Sequence, residues 1–176
     1  YTALMDWELA SSCGKEVFLP EKAAFAKNVL LRQLMDHAED IRQCTDLGIK
    51  TMVELFLAYA KLANEIDTDR AQEGSEHFFC YNAEYVTSRT YIHGALLSMG
   101  IYLSGSYLHG KKEETEAMLN ALGLPYTLES AGLSKDEFIQ TLRTLDTFTQ
   151  KGNYYYSAIN YKPFSEELIQ KIMDDL

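Results

Sequence analysis

The sequence predicts an all-α fold, and three observations carry that expectation. Apolar residues recur at three- and four-residue steps along almost the whole chain. Gly and Pro fall where helices should stop or start. No region alternates strand and helix, so a nucleotide-binding sheet is not expected, and its Gly-rich phosphate fingerprint is absent. The 176 residues are enough for one domain with a real core, and residues 1–176 are read as a single helical unit.

Each element follows from local signals. Tyr1 to Cys13 reads as a helix stopped by Gly14. Pro20 with Glu21 behind it suits a first turn. From there to about Cys44, Phe25, Val29, Leu30, Leu34 and Ile41 fall on one face. Leu47-Gly48 is read as a break, and a helix over 49–66 is expected to turn Val53, Phe56, Leu57, Ala60 and Ala63 inward. Residues 67–74 read as a polar loop, and Ser75 as the N-cap of an aromatic-rich helix to about Ser88. Another helix should start near Tyr91, pass through His93-Gly94 and stop at Gly110. A short helix from Glu113 to Leu122 is closed by Gly123 and Pro125. Ser134 and Glu137 form a capping box for a helix to about Thr149. Lys151 to Lys162 reads as irregular or extended, and Ser165 caps a last helix ending near Asp174.

Charge and composition exclude several classes. A net charge of −10 argues against a nucleic-acid surface, which needs clustered Lys and Arg. The most apolar stretch, Ala95 to Leu108, falls short of the roughly 18 uncharged residues of a membrane span. No secretory leader pattern opens the chain, and the absence of an initiating Met suggests a fragment or processed product. The three scattered cysteines, Cys13, Cys44 and Cys80, suggest neither a disulfide framework nor a cysteine zinc site, and a reducing cytoplasm is the simplest reading.

Chemistry centres on four histidines. His37 lies among charged neighbours and reads as a surface residue. His109, at a helix end before Gly110 where a cation suits the dipole, reads as structural or solvent-exposed. His77 and His93 open two consecutive helices, and an antiparallel pairing would bring both imidazoles to one cleft as metal ligands. On spacing alone, buried structural histidines explain them better than a shared metal site. HExxH, ExxH and Gly-x-Ser-x-Gly are absent, and the acidic pairs Glu113-Glu114 and Glu166-Glu167 read as solvated faces.

Three stretches add a resemblance: Tyr1-Thr2-Ala3-Leu4-Met5-Asp6-Trp7-Glu8-Leu9-Ala10, Glu73-Gly74-Ser75-Glu76-His77, and His93-Gly94-Ala95-Leu96-Leu97-Ser98-Met99-Gly100. Together with Leu122-Gly123-Leu124-Pro125, they resemble the C-terminal half of the sn-glycerol-1-phosphate dehydrogenases. That family sits within a superfamily of iron-containing alcohol dehydrogenases, glycerol dehydrogenases and dehydroquinate synthases. The resemblance implies a helical bundle like the C-terminal domain of the dehydroquinate synthase-like fold. It also implies a partner, an N-terminal nucleotide-binding domain that holds NAD(P) and is missing from this chain, so the chain alone should be inactive. His77 and His93 match the two histidine ligands of a divalent metal, zinc or iron, with Glu76 and Ser75 supporting the ligand turn.

The implied third ligand, an aspartate, would fall just ahead of residue 1, and Asp6 matches a different position of the family, so the resemblance implies a weak or empty metal site. Tyr81 stands where the family tends to place a further substrate-site histidine, and Gly152-Asn153-Tyr154-Tyr155 lacks an arginine common there. A small polyol or polyol-phosphate substrate is implied, with phosphate recognition in doubt and neutral alcohols open. Two other readings stand beside this one: a dehydroquinate synthase-like cyclase domain, and a non-catalytic helical interaction module. Homo-oligomerisation is left open.

Overall fold

The computed structural model describes residues 1–176 and contains twelve α-helices and no strand. The first helix, α1 (Thr2–Ser12), ends at Gly14, whose φ of +67° is the left-handed turn that glycine adopts without strain. Pro20 opens α2 (Pro20–Phe25), which runs through a π-helical segment (Ala26–Leu31) into α3 (Arg32–Asp36). The chain breaks at His37 and resumes as α4 (Ala38–Arg42) and α5 (Asp46–Ile66). Then follow α6 (Ser75–Thr87) and α7 (His93–Leu103), the latter continued by a second π-helical segment (Ser104–Leu108). The remaining helices are α8 (Lys112–Ala121), α9 (Leu128–Ala131), α10 (Lys135–Lys151), α11 (Ala158–Tyr161) and α12 (Glu166–Asp175).

Two apolar clusters hold these helices. The larger joins α6, α7 and α10 through Phe78, Phe79, Leu96, Met99, Phe138 and Leu142, and reaches Ile169 and Ile172 on α12. The smaller gathers Ala23, Ala26, Leu62 and Ala71 around Trp7. Trp7 also donates its indole N–H to the Val17 carbonyl at 2.9 Å, which satisfies the one polar atom of that ring. The α6–α7 pair is drawn together at Gly100, where any Cβ would overlap the Glu76 carbonyl.

Several boundaries differ from the sequence expectation. The helix expected from Pro20 to Cys44 is interrupted twice. A π turn carries one extra residue, which rotates the face ahead of it away from a strict three–four pattern. Phe25 and Val29 are therefore 40% and 46% exposed, while Ala23 and Ala26 are buried in their place. Gly48 does not break a helix. It lies in the first turn of α5, capped by the Thr45 hydroxyl, and its missing side chain lets the Asp40 carbonyl approach. The face of α5 is also reversed: Thr51, Leu55 and Leu62 are buried, whereas Val53, Phe56 and Leu57 are more than half exposed. The capping boxes at Ser134 and the cap at Ser165 form as expected. The stretch expected to be irregular from Lys151 contains α11.

Candidate metal centre

His77 sits in the first turn of α6 and His93 is the first residue of α7. Helices α6 and α7 pack closely, with the Glu76 carbonyl against Gly100, and the two imidazoles lie together. Their ring centroids are 5.4 Å apart and the planes are inclined by 37°. Two nitrogens sharing one tetrahedral ion with bonds near 2.0–2.1 Å lie about 3–4 Å apart, a span these rings can meet. His77 is buried and His93 is exposed, so one imidazole is anchored and the other forms the rim.

The anchored imidazole is oriented by a carboxylate. Glu76, itself 3% exposed, places Oε1 3.2 Å from Nδ1 of His77. The Thr2 hydroxyl donates to the other carboxylate oxygen at 2.7 Å. A carboxylate on Nδ1 favours the tautomer with its proton there, leaving the Nε2 lone pair as the donor atom. Helix α1 thus reaches the site through Thr2. The donor chemistry fits a borderline divalent ion such as zinc or iron, as a partial set: no group of three or more His, Cys, Asp or Glu is arranged to hold a metal.

Asp6 does not complete that set. It is fully buried, and its carboxylate is committed elsewhere. Oδ2 accepts from the Ser75 backbone N–H at 2.6 Å, while Oδ1 accepts from the Ala158 N–H at 2.8 Å and lies 2.9 Å from Nε2 of His109. This changes one expectation and decides between the two readings of another. Ser75 is not the cap of α6 but its first residue, and the cap is supplied by Asp6 from another helix. His109 is no solvent-facing helix end: its side chain is 11% exposed and bound to Asp6. His37 lies apart, beside Asp40 at 4.0 Å.

Tyr81 stands one turn beyond His77, with ring centroids 6.1 Å apart. Its hydroxyl donates to Glu73 Oε1 at 2.6 Å, and burial together with that carboxylate raises the phenol above its usual range. The ring stacks on Tyr154, which stacks in turn on Phe148. On the same helix, burial pushes the Cys80 thiol up and leaves it unreactive. Gly94 has open space where a Cβ would stand.

Arg70 was not signalled by the sequence, since it lies in a polar loop. Yet it is 1% exposed, pairs with Glu16 at 2.6 Å, and donates to the carbonyls of Glu73 and Tyr156. Beside His77 opens a mostly apolar groove of about 290 Å3 between α1, the first π-helical segment, α5, α6 and α7, with Leu30, Leu55, Leu97 and Ile101 on its walls and Tyr1, Glu76 and His77 among its polar groups.

Fold and site define a class: an all-α protein with two converging imidazoles, one of them held by a buried carboxylate. No protein-family model matches the chain. The chain is similar to glycerol-1-phosphate dehydrogenases that carry NAD(P)+ in their names. That of Methanosarcina mazei is 27% identical over 143 residues, covering 81% of this chain and 40% of the relative. That of Methanococcoides burtonii is 26% identical over 172 residues, covering 97% of this chain and 47% of the relative. That of Korarchaeum cryptofilum is 29% identical over 147 residues, covering 80% and 46%. The chain therefore spans less than half the length of the curated relatives it matches, and the resemblance read from its motifs extends over most of its residues.

Proposed function

We propose that residues 1–176 form a single helical metal-binding domain, one half of an NAD(P)-dependent alcohol or polyol-phosphate dehydrogenase related to glycerol-1-phosphate dehydrogenase. The architecture of that half is the C-terminal domain of the dehydroquinate synthase-like fold, and its place of action is the cytoplasm. The single observation that supports this reading best is the approach of His77 and His93 to 5.4 Å between ring centroids, in a chain similar to such dehydrogenases. A divalent ion bound there, zinc or iron, supplies Lewis acidity to a substrate oxygen. His77 and His93 hold the ion. Glu76 keeps the His77 proton on Nδ1, Thr2 keeps Glu76 in place, and Tyr81 walls the substrate side. The nicotinamide and its binding sheet belong to the nucleotide-binding half. No helix here is long and apolar enough to cross a membrane.

Zinc titration of the chain, followed at the imidazole resonances, tests this reading. One weak process should move His77 and His93 together, because this chain supplies two donors. Glu76→Gln should weaken it by roughly ten- to hundredfold while the far-ultraviolet circular dichroism stays unchanged. If neither ring responds, or only the exposed His93 does, the interaction-module reading replaces this one. Turnover of NAD(P) by the chain alone would contradict the half-enzyme reading.

A further inference from the structure

We infer that the outward face of α5 is a contact surface for a second copy of this chain, and that the two α5 helices meet antiparallel about a two-fold axis near residue 58. This assembly is independent of the dehydrogenase reading.

The side of α5 turned to the core carries Thr51, Leu55 and Leu62. On the opposite side Ile49, Val53, Phe56, Ala60 and Ala63 recur at alternating four- and three-residue steps. That is the period of a seam facing another helix. Ile49, Val53 and Phe56 are 53–65% exposed, so no other part of the chain covers this seam. Large and small residues are also segregated along it: Ile49, Val53 and Phe56 precede Ala60 and Ala63. An antiparallel copy sets Val53 against the partner's Ala63 and Phe56 against the partner's Ala60, with the reverse pairs beyond the axis. Each layer then joins one large and one small side chain, which fills the space evenly. A parallel copy would set Phe56 against Phe56 and Ala60 against Ala60, a bulge beside a void.

Charge selects the same orientation. One flank of the seam carries Lys50, Glu54, Lys61 and Glu65, all exposed. In an antiparallel pair this flank faces the same flank of the partner. Lys50 comes level with the partner's Glu65, and Glu54 with the partner's Lys61, within one residue of the register set by the apolar layers. Two-fold symmetry makes each contact reciprocal. Parallel pairing would set every one of these charges against its own kind. Within one chain Lys50 lies 3.8 Å from Glu54, and Glu65 pairs with Lys22 at 2.7 Å. The second copy therefore extends a surface network, and exposed pairs of this kind fix orientation more than strength.

Sedimentation of the 176-residue chain over a concentration series tests the surface. The mass should rise reversibly toward twice the 20.0 kDa of one chain, with the weak affinity of an interface smaller than roughly 1,200 Å2. Val53→Lys drives a charge into the seam and should raise the dissociation constant by about tenfold or more, with the circular dichroism of the folded monomer unchanged. Leu57→Lys, beside the axis, gives the same readout if the first variant fails to fold. Orientation is read by crosslinking in a chain with Cys13 and Cys44 replaced by Ser. Leu57→Cys should give a disulfide-linked dimer under mild oxidation, because the axis brings residue 57 near its own copy. Ile49→Cys should not, because antiparallel pairing carries it to the far end of the partner's helix. A dimer untouched by both lysine variants, or crosslinking through Ile49→Cys in preference to Leu57→Cys, overturns the inference. So does a chain that stays monomeric up to about 1 mM, the weak edge of specific binding, which leaves the stripe to the nucleotide-binding half of the proposed enzyme. None of these outcomes alters the zinc titration, so the two readings fail separately.

Discussion

Asp6 shows how much one side chain can organise. It caps α6, holds the first turn of α11 and binds His109, all from full burial. Asp6→Asn keeps the shape but sets an amide NH2 against at least one donor now satisfied. Urea unfolding should show a loss of about 1–3 kcal/mol, the range for buried polar groups left unpaired. Zinc binding should persist in the surviving folded fraction, since Asp6 is not a ligand in the proposed site. The pair His77 and His93 was legible from motif and helix order. Asp6 and His109 were not: their chemistry depends on a contact between residues 103 positions apart, and local rules for caps and dipoles do not reach that far. Arg70 was hidden for the same reason, as a single cation in a loop has no pattern from which burial can be read.

Among the elements, the α6–α7 pair matters most, because its spacing sets the distance between the imidazoles. Gly100→Ala places a methyl group against the Glu76 backbone carbonyl, which cannot swing aside as a side chain end could. Overpacking of this kind costs about 1–3 kcal/mol. Thermal denaturation should show that loss, and the zinc response should weaken with it as α7 moves outward. Helix existence was readable nearly everywhere from periodicity and from Gly14, Pro20, Gly110 and Gly123. The two π-helical segments were not, since an extra residue in a turn leaves no composition signal. The inward face of α5 was misread because this helix carries two apolar stripes, and periodicity alone does not say which one meets the core.

At the scale of the whole molecule, that second stripe is a surface. Ile49, Val53, Phe56 and Leu57 are 53–67% exposed along α5, and Phe25 and Val29 add to the apolar surface. Exposed positions should tolerate charge: Val53→Lys and Leu57→Lys should each change unfolding free energy by less than about 0.5 kcal/mol. Leu62→Ala on the same helix removes a 2% exposed core residue beside Trp7 and should cost about 2–5 kcal/mol. Chemical denaturation of these variants decides directly which stripe is core. A reversed ranking would restore the face that periodicity suggested.

The Asp6 carboxylate also sets how this molecule breathes. The amides of Ser75 and Ala158, far apart in the chain, both end on its two oxygens. Fraying at either helix start must break a buried hydrogen bond to the same carboxylate. Native-state hydrogen exchange should therefore find these protons released together, with a shared opening free energy set by the undocking of α1. The carboxylate makes the start of the histidine-bearing helix and the distant turn at α11 parts of one cooperative unit.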